Sequence, residues 1–462
     1  MGHLLISAAH KSSGKTTLTT GLCAALKNRE LIVQPFKKGP DYIDPLWLGA
    51  AAGRACRNLD FHTQNRDEIT RYFARHIKDA DIGIIEGNKG LFDGVELDGK
   101  NSNAALARLL GAPVILVIDT QGMTRGIAPL LKGYLDFEQG LNFAGVILNK
   151  VAGSRHEGKL RAVIEYYTDL EVVGAVGRCS EMEIAERHLG LVPSNEQTGA
   201  QKRIETMASV IARNVDLDKI ITAAQKADPP DSCYFPSLES SPPDITIGYS
   251  HDAAFNFYYQ DDLDALARAG AKLVRINTLK DAALPPVDGL FLGGGFPETN
   301  MKALEANSSL RRQIKTAIEA GLPCYAECGG LMYLARRIVW SEESAQMVGV
   351  LPADAVMHKK PRGRGYVILE ETASHPWPTL EATDKPICHA THEFHYSHLE
   401  NDSAFKTFAY KIRRGAGLDG VNDGIVYKNL LASYAHMRHV DNNPWTARFA
   451  KFVRKIKKCR NP

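Results

Sequence analysis

Apolar runs too short to be helices recur through the first 150 positions: LLISAA (4–9), LIVQPF (31–36), DIGIIEG (81–87), PVILVID (113–119) and AGVILNK (144–150). They do not alternate with polar residues, so each reads as a strand covered on both faces. Between them lie helix-like segments, Thr16–Lys27 and Asn103–Leu110 among them. Strand and helix in turn predict a parallel sheet with helices on both sides, the α/β class. The rhythm breaks at ADPPDSCYFPSLESSPPD (227–244), whose Pro, Ser and Asp are linker composition. It resumes with ITIGYS (245–250), a helix over Asp261–Ala269, KLVRIN (272–277), GLFLGGG (289–295), a helix over Ser309–Ala320, and PCYAEC (323–328) leading into a helix through LMYLARRI (331–338). The prediction is an α/β domain over 1–226, a linker over 227–244 and a second α/β domain over 245–462.

At 462 residues, 44% hydrophobic and 24% charged, the chain exceeds single-core size, which agrees with two domains. Lys plus Arg number 56 against 53 Asp plus Glu. This balance argues against nucleic acid or a membrane as the main partner. No basic, apolar leader opens the sequence and no run approaches the roughly 20 apolar residues of a bilayer span, so a cytoplasmic location is expected. Eight cysteines lie scattered without CxxC pairs, pointing to neither a zinc site nor a disulfide framework. The tail AKFVRKIKK (450–458) reads as the solvated face of a last helix.

LLISAAHKSSGKTT sets strand, small-residue loop, Gly14-Lys15-Thr16-Thr17 and helix in the order of a phosphate-binding loop. Loop N–H groups and the helix start would face phosphates, Lys15 would reach the β/γ-phosphates, and the Thr16 hydroxyl would ligate Mg²⁺. Ala9 stands where the pattern has its first glycine. Lys11 reads equally as a phosphate contact or a solvated loop lysine. KKGPDYIDP and IIEGNKGLFDG end two strands of the same sheet, where ligands collect. Asp41 and Glu86 are the expected Mg²⁺ ligands. Asp44 and Asp93 divide evenly between such duty and turn capping.

PCYAECGGLMYLARRI turns sharply at Cys328 through Gly329 and Gly330, the form of a nucleophile elbow. A helix start there would expose the thiol and favour thiolate, and the Gly329 N–H would face an oxyanion. FLGGGFPE offers Gly294 and Gly295 as the second donor, while Cys324 reads as packing. His436 in LLASYAHMRH is the expected base, with His439 an orienter or a surface residue. HATHEFHYSHL allows a metal site as a weaker reading. HKKPRGRGY reads evenly as a polyanion contact or a solvated basic loop.

Taken together, GKTT, KKGPDYIDP, EGNKGLFDG, GVILNKV, ERHLGLVPSNE, GGGFPE, YAECGGLMYL, HEFHYS and ASYAH resemble the cobyrinate a,c-diamide synthase family over nearly the whole chain. The resemblance implies a dethiobiotin-synthetase-like ATP domain followed by a class I-like glutamine amidotransferase domain. It implies a ligase that converts the a and c acetates of a tetrapyrrole into acetamides through an acyl phosphate, with ATP and Mg²⁺. ATP would be held by Gly14, Lys15, Thr16, Thr17 and Asn149, the last at adenine, and Mg²⁺ by Thr16, Asp41 and Glu86. Asp41, Tyr42, Ile43, Glu86 and Asp93 would surround the acceptor carboxylate, and Cys328 with His436 would release ammonia from glutamine, to travel to the other site by a protected route. The expected partners are a tetrapyrrole polycarboxylate and L-glutamine, with no nucleic acid or membrane, and a homodimer is left open.

The sequence departs from the family's usual pattern at Asn88-Lys89, where a hydrophobic pair is common, at Thr391, where a glycine is common, and at His436-Met437-Arg438-His439, where HxH is common. These departures resemble relatives that amidate sirohaem or sirohydrochlorin, and Lys89 could pair with an extra carboxylate. The alternatives are amidation of another acid, as by a cobyric-acid synthase or a cell-wall ligase, or a P-loop regulatory ATPase with a degenerate amidotransferase domain.

Overall fold

A computed structural model describes residues 2–187, 190–197, 199–228, 240–380, 385–400 and 405–460. The chain divides into two compact units, Met1–Pro236 and Ser237–Pro462. Most of the expected linker, residues 229–239, lies outside the described residues.

In the first unit the apolar runs form β1 (Gly2–Ala8), β2 (Val33–Lys38), β3 (Arg57–Leu59), β4 (Ile82–Glu86), β5 (Val114–Asp119), β6 (Phe143–Val151) and β7 (Val172–Gly177). All pair in parallel, in the order β3-β2-β4-β1-β5-β6-β7. Crossovers are made by α1 (Lys15–Lys27), α2 (Ile43–Ala52), α3 (Arg66–Ile77), α4 (Asn103–Leu110), α5 (Ile127–Asp136) and α6 (Ser154–Tyr167). A two-residue hairpin, β8 (Glu186–Arg187) with β9 (Gly190–Leu191), precedes α7 (Ala200–Asn214) and α8 (Leu217–Gln225). Period-2 alternation explains the unbroken apolar runs: Leu4, Ile6 and Ala8 join one core layer with α1, while Leu5 joins the opposite one. The C-terminal strand ends, with the loops that follow them, therefore form one rim.

The second unit contains β10 (Ile245–Ser250), β11 (Phe255–Phe257), α9 (Gln260–Arg268), β12 (Ala271–Ile276), β13 (Gly289–Leu292), β14 (Gly294–Gly295), α10 (Met301–Ala306), α11 (Ser308–Glu319), β15 (Cys324–Glu327) and α12 (Gly329–Leu334). There follow β16 (Arg337–Trp340), β17 (Glu343–Gln346), β18 (Asp354–Met357), β19 (Gly363–Glu371), β20 (Cys388–His395), β21 (Ser397–Glu400), β22 (Phe408–Arg414), β23 (Asn422–Tyr427), β24 (Leu430–Ser433) and α13 (Trp445–Arg460). The main sheet runs β12-β10-β13-β15-β24-β23-β22-β19-β20, parallel as far as β24 and antiparallel beyond it. The antiparallel half was not foreseen from the sequence, since its strands carry charges on their solvent faces and break the apolar signal.

The helix expected through LMYLARRI ends at Leu334 instead. Ala335 is extended (φ −62°, ψ 170°), and Arg336 and Arg337 clamp Asp354 at 2.9 and 3.0 Å, which draws 337–340 into β16 beside β18. Helix α13 buries Phe449, Ala450, Phe452 and Val453 and turns Lys455 and Lys458 outward, as the tail's amphipathic pattern requires.

Candidate functional site

The β1–α1 loop closes on itself. The Ser13 hydroxyl donates to the His10 carbonyl at 2.7 Å, Ser12 and Gly14 take positive φ (64° and 83°), and Leu18 N–H returns to the Gly14 carbonyl at 3.1 Å. Lys11 is exposed. Tyr134 donates its hydroxyl to the Ala9 carbonyl at 2.5 Å, and a Cβ on Gly90 would stand 2.7 Å from that same carbonyl. The neighbouring loop thus meets the Ala9 carbonyl, and the small Ala9 side chain packs against the core layer that holds Leu91. Asp93 accepts the Gly90 N–H at 2.8 Å and holds that loop shut, so the structure gives it a turn-closing contact.

Alternation along β4 puts Glu86 on the α1 face with Ile82 and Ile84. The Thr16 hydroxyl lies 2.9 Å from Glu86 Oε1 and 3.2 Å from Asp44 Oδ2. Lys37, fully inside this face, is within 2.6 Å of Glu86, 2.5 Å of Asp44 and 3.8 Å of Asp41. Asp41 turns its Oδ1 to the N–H groups of Ile43 and Asp44, starting α2, with Tyr42 buried beside it. Asn58 pins this loop by donating to the Gly39 and Asp41 carbonyls. Asp44 therefore stands nearer to Thr16 than Asp41 does. Lys37 was not picked out from the sequence: a lysine in KK at a strand end reads as solvated, and only its parity with Glu86 could have shown it.

Burial sets the electrostatics. It pushes Lys15 down to about 8, with Lys37 adding to the effect and Glu86 and Asp44 opposing it. Lys15 donates to the Lys89 carbonyl at 2.5 Å. Burial raises Glu86, and burial with the adjacent Asp44 pushes Asp41 up to about 7. Burial works against Asp44 too, but Lys37 holds it below the usual carboxylate range.

The residues fit a nucleotide with Mg²⁺ on one specific ground: Glu86 Oε2 is buried without a hydrogen-bond partner, next to the Thr16 hydroxyl. Among the described residues no group of three His, Cys, Asp or Glu forms a complete metal cage. Beside the loop lies a cavity of about 330 Å³ lined by Gly14, Thr17, Asn149, Val176, Cys179 and Met182. Asn149 donates to the Ser13 carbonyl at 2.9 Å, which ties the cavity wall to the phosphate loop.

In the second unit, β15 leads directly into Cys328, with φ 47° and ψ −102°, and α12 starts at once. Two close approaches require glycines here. A Cβ on Gly329 would stand 3.0 Å from Gly295 N, and one on Gly330 would stand 2.1 Å from the Leu292 carbonyl oxygen. A Cβ on Gly294 would meet His436 Cε1 at 2.6 Å. Cys328, Gly329, Gly294, Gly295 and His436 are thereby gathered at one sheet end. Cys328 N–H bonds the Ser433 carbonyl at 2.8 Å, and Asp423 holds Ser433, Tyr434 and Ala435 through three hydrogen bonds of 2.8 to 3.0 Å.

His436 Nδ1 lies 3.5 Å from Glu327 Oε2, while Glu327 Oε1 accepts from Tyr325 at 2.6 Å and from Met437 N–H at 2.8 Å. Its ring stacks on His392 at 5.0 Å. A thiol, an imidazole and a carboxylate in this order can carry out nucleophilic acyl transfer, with N–H groups of the glycine strands for an oxyanion. Glu327 went unrecognised in the sequence although it adjoins the cysteine. The expected thiolate is corrected: burial, with Glu298 and Glu327 nearby, pushes the Cys328 thiol up, and a helix of six residues does not outweigh that.

His439 is half-buried and turned to another partner than His436: its Nδ1 lies 2.6 Å from the Thr446 hydroxyl. The histidines of HATHEFHYSHL go four separate ways, His389 to Glu371, His392 to His436, His395 onto Tyr434 and His398 to His358. Lys359, Lys360, Arg362 and Arg364 are exposed, and Arg364 covers the Phe394 ring. Cys324 is fully buried in the core.

Comparison with known proteins adds to this geometry. Residues 5–192 match the CobQ/CobB/MinD/ParA nucleotide binding domain, and residues 246–445 match the CobB/CobQ-like glutamine amidotransferase domain. The chain is 47% identical to a cobyrinate a,c-diamide synthase of Magnetococcus marinus over 98% of its own length and 97% of that protein. It is 38% identical to the enzymes of that name from Methanosarcina acetivorans (99% of this chain, 97% of that protein) and Archaeoglobus fulgidus (98% of each). No described helix is long and apolar enough to cross a membrane.

Proposed function

The chain belongs to the cobyrinate a,c-diamide synthase family, and from that premise we propose that it amidates the a and c acetates of a tetrapyrrole polycarboxylate, cobyrinate in the first instance, using ATP and glutamine. The observation that carries this reading is a Cys328–His436–Glu327 constellation in a chain whose other unit sets Lys15 and Thr16 of a phosphate loop against Glu86.

A carboxylate is a poor acyl donor because its leaving group would be oxide. An acetate oxygen therefore attacks the γ-phosphorus of ATP, ADP leaves, and ammonia then displaces phosphate from the acyl phosphate to give the amide. Such transfer needs positioning and charge neutralisation more than covalent help. Lys15 supplies positive charge at the phosphates, and Asp41, Tyr42, Ile43 and Asp93 frame the acceptor. Gly14 and Thr17 contact the nucleotide, and Asn149 holds the wall of its base pocket. Thr16, Asp41 and Glu86 would hold Mg²⁺, which would supply charge neutralisation at the phosphates.

In the other unit His436, oriented by Glu327, takes the Cys328 proton as sulfur attacks the glutamine amide carbon. The N–H groups of Gly329 and Gly294-Gly295 hold the oxyanion. Protonated by His436, ammonia leaves, and water hydrolyses the thioester to glutamate. Burial favours the protonated thiol at rest, so the attack needs His436 as base.

The test is product mass after incubation with ATP, Mg²⁺ and either glutamine or ammonium chloride, with cobyrinate, sirohaem and sirohydrochlorin offered separately. The wild type should add two amides to one of these acids. Cys328→Ala should lose at least about 10³-fold of the glutamine-driven rate yet keep the ammonium-driven one. Loss of both by a folded variant would refute the division of labour.

A further inference from the structure

Lys38 ends β2, and alternation turns it away from its neighbour. Lys37 shares the α1 face with Glu86 and the phosphate loop, whereas Lys38 shares the opposite face with Phe36, whose core layer includes Leu5 and Ile85. Lys38 is only 5% exposed. Its Nζ donates to Asn88 Oδ1 across a long 3.3 Å, and it makes no ion pair among the described residues. Lys37, one residue before, has three carboxylates around it.

A buried ammonium with no carboxylate within ion-pair distance is costly to fold around. Burial pushes Lys38 down to about 8 against the pull of Asp60, and the Lys89 charge adds to the push. The neighbourhood reinforces the imbalance. Asn88 covers Gly39, whose Cβ would meet its Nδ2 at 3.1 Å, and the next carbonyl, that of Lys89, is taken by Lys15. Three ammonium groups thus surround one turn, and the nearby Asp93 spends an oxygen on Gly90 N–H.

We propose that Lys38 binds a second carboxylate of the acceptor, one that is not phosphorylated in that turnover, so that the site selects acids with a further carboxylate placed to reach across the strand ends. The inference rests on the polycarboxylate reading above. A nucleotide phosphate is the other anion available, since Lys15 reaches the same turn; the alternation that sends Lys38 to the face opposite α1 favours the acceptor, and the KM for ATP tells the two apart. A small monoacid held at Glu86 would leave Lys38 without a partner.

The experiment compares wild type, Lys38→Met and Lys38→Arg in ammonium-driven amidation of whichever of cobyrinate, sirohaem and sirohydrochlorin the wild type accepts. KM for acceptor and for ATP, kcat, and the melting temperature of the ligand-free protein are measured. Lys38→Met should raise the acceptor KM roughly 10- to 100-fold, the loss of one charge-assisted hydrogen bond, with kcat at saturation retained. Lys38→Arg should recover most of that loss. The ligand-free Lys38→Met protein should melt at or above the wild-type temperature, because an unpaired buried charge has been removed. An unchanged acceptor KM, an equal rise in the ATP KM, or a lower melting temperature in Lys38→Met overturns the proposal. Failure of the wild type on all three acids overturns the acceptor reading beneath it and is recognised without any variant.

Discussion

Replacing Lys37 with Met, a side chain of similar length without charge, should be the most destabilising single change at the phosphate loop. Lys37 Nζ is the shared partner of Glu86 and Asp44, at 2.6 and 2.5 Å, and Glu86 is wholly buried. Met leaves both carboxylates facing each other without the cation they share. Removing one partner of a buried ion pair costs about 3–5 kcal/mol. For a unit the size of Met1–Pro236, each kcal/mol moves the melting temperature by about 2–4 °C, so a fall of roughly 6–20 °C is expected in that unit's transition. The assay is calorimetry of ligand-free protein in a chelator. Two further readings belong to it. Lys37→Met with Glu86→Gln should lose less than the sum of the two single losses, because neutralising the acid removes the stranded charge. The deficit should also narrow as pH falls, since without Lys37 the folded carboxylates bind protons more readily than the unfolded ones, and that favours the folded state at low pH. A Lys37→Met protein melting within about 2 °C of wild type, or strictly additive losses, would refute the account of this cage.

Two other outcomes are expected. Glu327→Gln should cut glutaminase activity by about 10²-fold or more, since the amide can hold His436 in the wrong tautomer, while ammonium-driven amidation persists; equal loss of both would contradict the orienting role. In the second unit, burial opposes ionisation of Glu371, but hydrogen bonds from His389 and Arg448 outweigh it and hold the carboxyl at about 2. A depressed carboxyl gives stability that is complete above the unfolded value of 4.5 and disappears as pH falls toward 2, here about 3 kcal/mol. His375, kept neutral by burial down to about 4, adds loss of the same sign between pH 6.5 and 4. Acid unfolding followed by tryptophan fluorescence, reported by Trp377 and Trp445, should shift to higher pH in Arg448→Met; coincident acid transitions in the two proteins would exclude the network as the cause.

The parts of the fold that were legible share a cause. Strands β1, β4, β5 and β6 are apolar on both faces, so sequence and burial say the same thing, and the glycines after Lys11 and Cys328 mark turns that no larger residue could make. What escaped is polar but buried. Lys37 is the last residue but one of its strand and Glu327 the last, where a charged residue reads as the approach to solvent, and each meets a partner far away in sequence, Glu86 and His436. Beyond Leu334 the apolar spacing of LMYLARRI fits a helix, but Asp354 holds the two arginines and settles the matter for a strand. That partner is 18 residues from Arg336, out of reach of local periodicity.

The hairpin of β23 and β24 also has a bearing on synthesis. Cys328 emerges from the ribosome long before His436, and the intervening strands must pair before Asp423 can fix the segment that presents the imidazole. A chain still being made therefore carries the proposed nucleophile without the strand that pairs with β15 and without the base that arms the thiol. Glutamine hydrolysis would switch on only with the last strands of the sheet, so an unfinished molecule would release no ammonia.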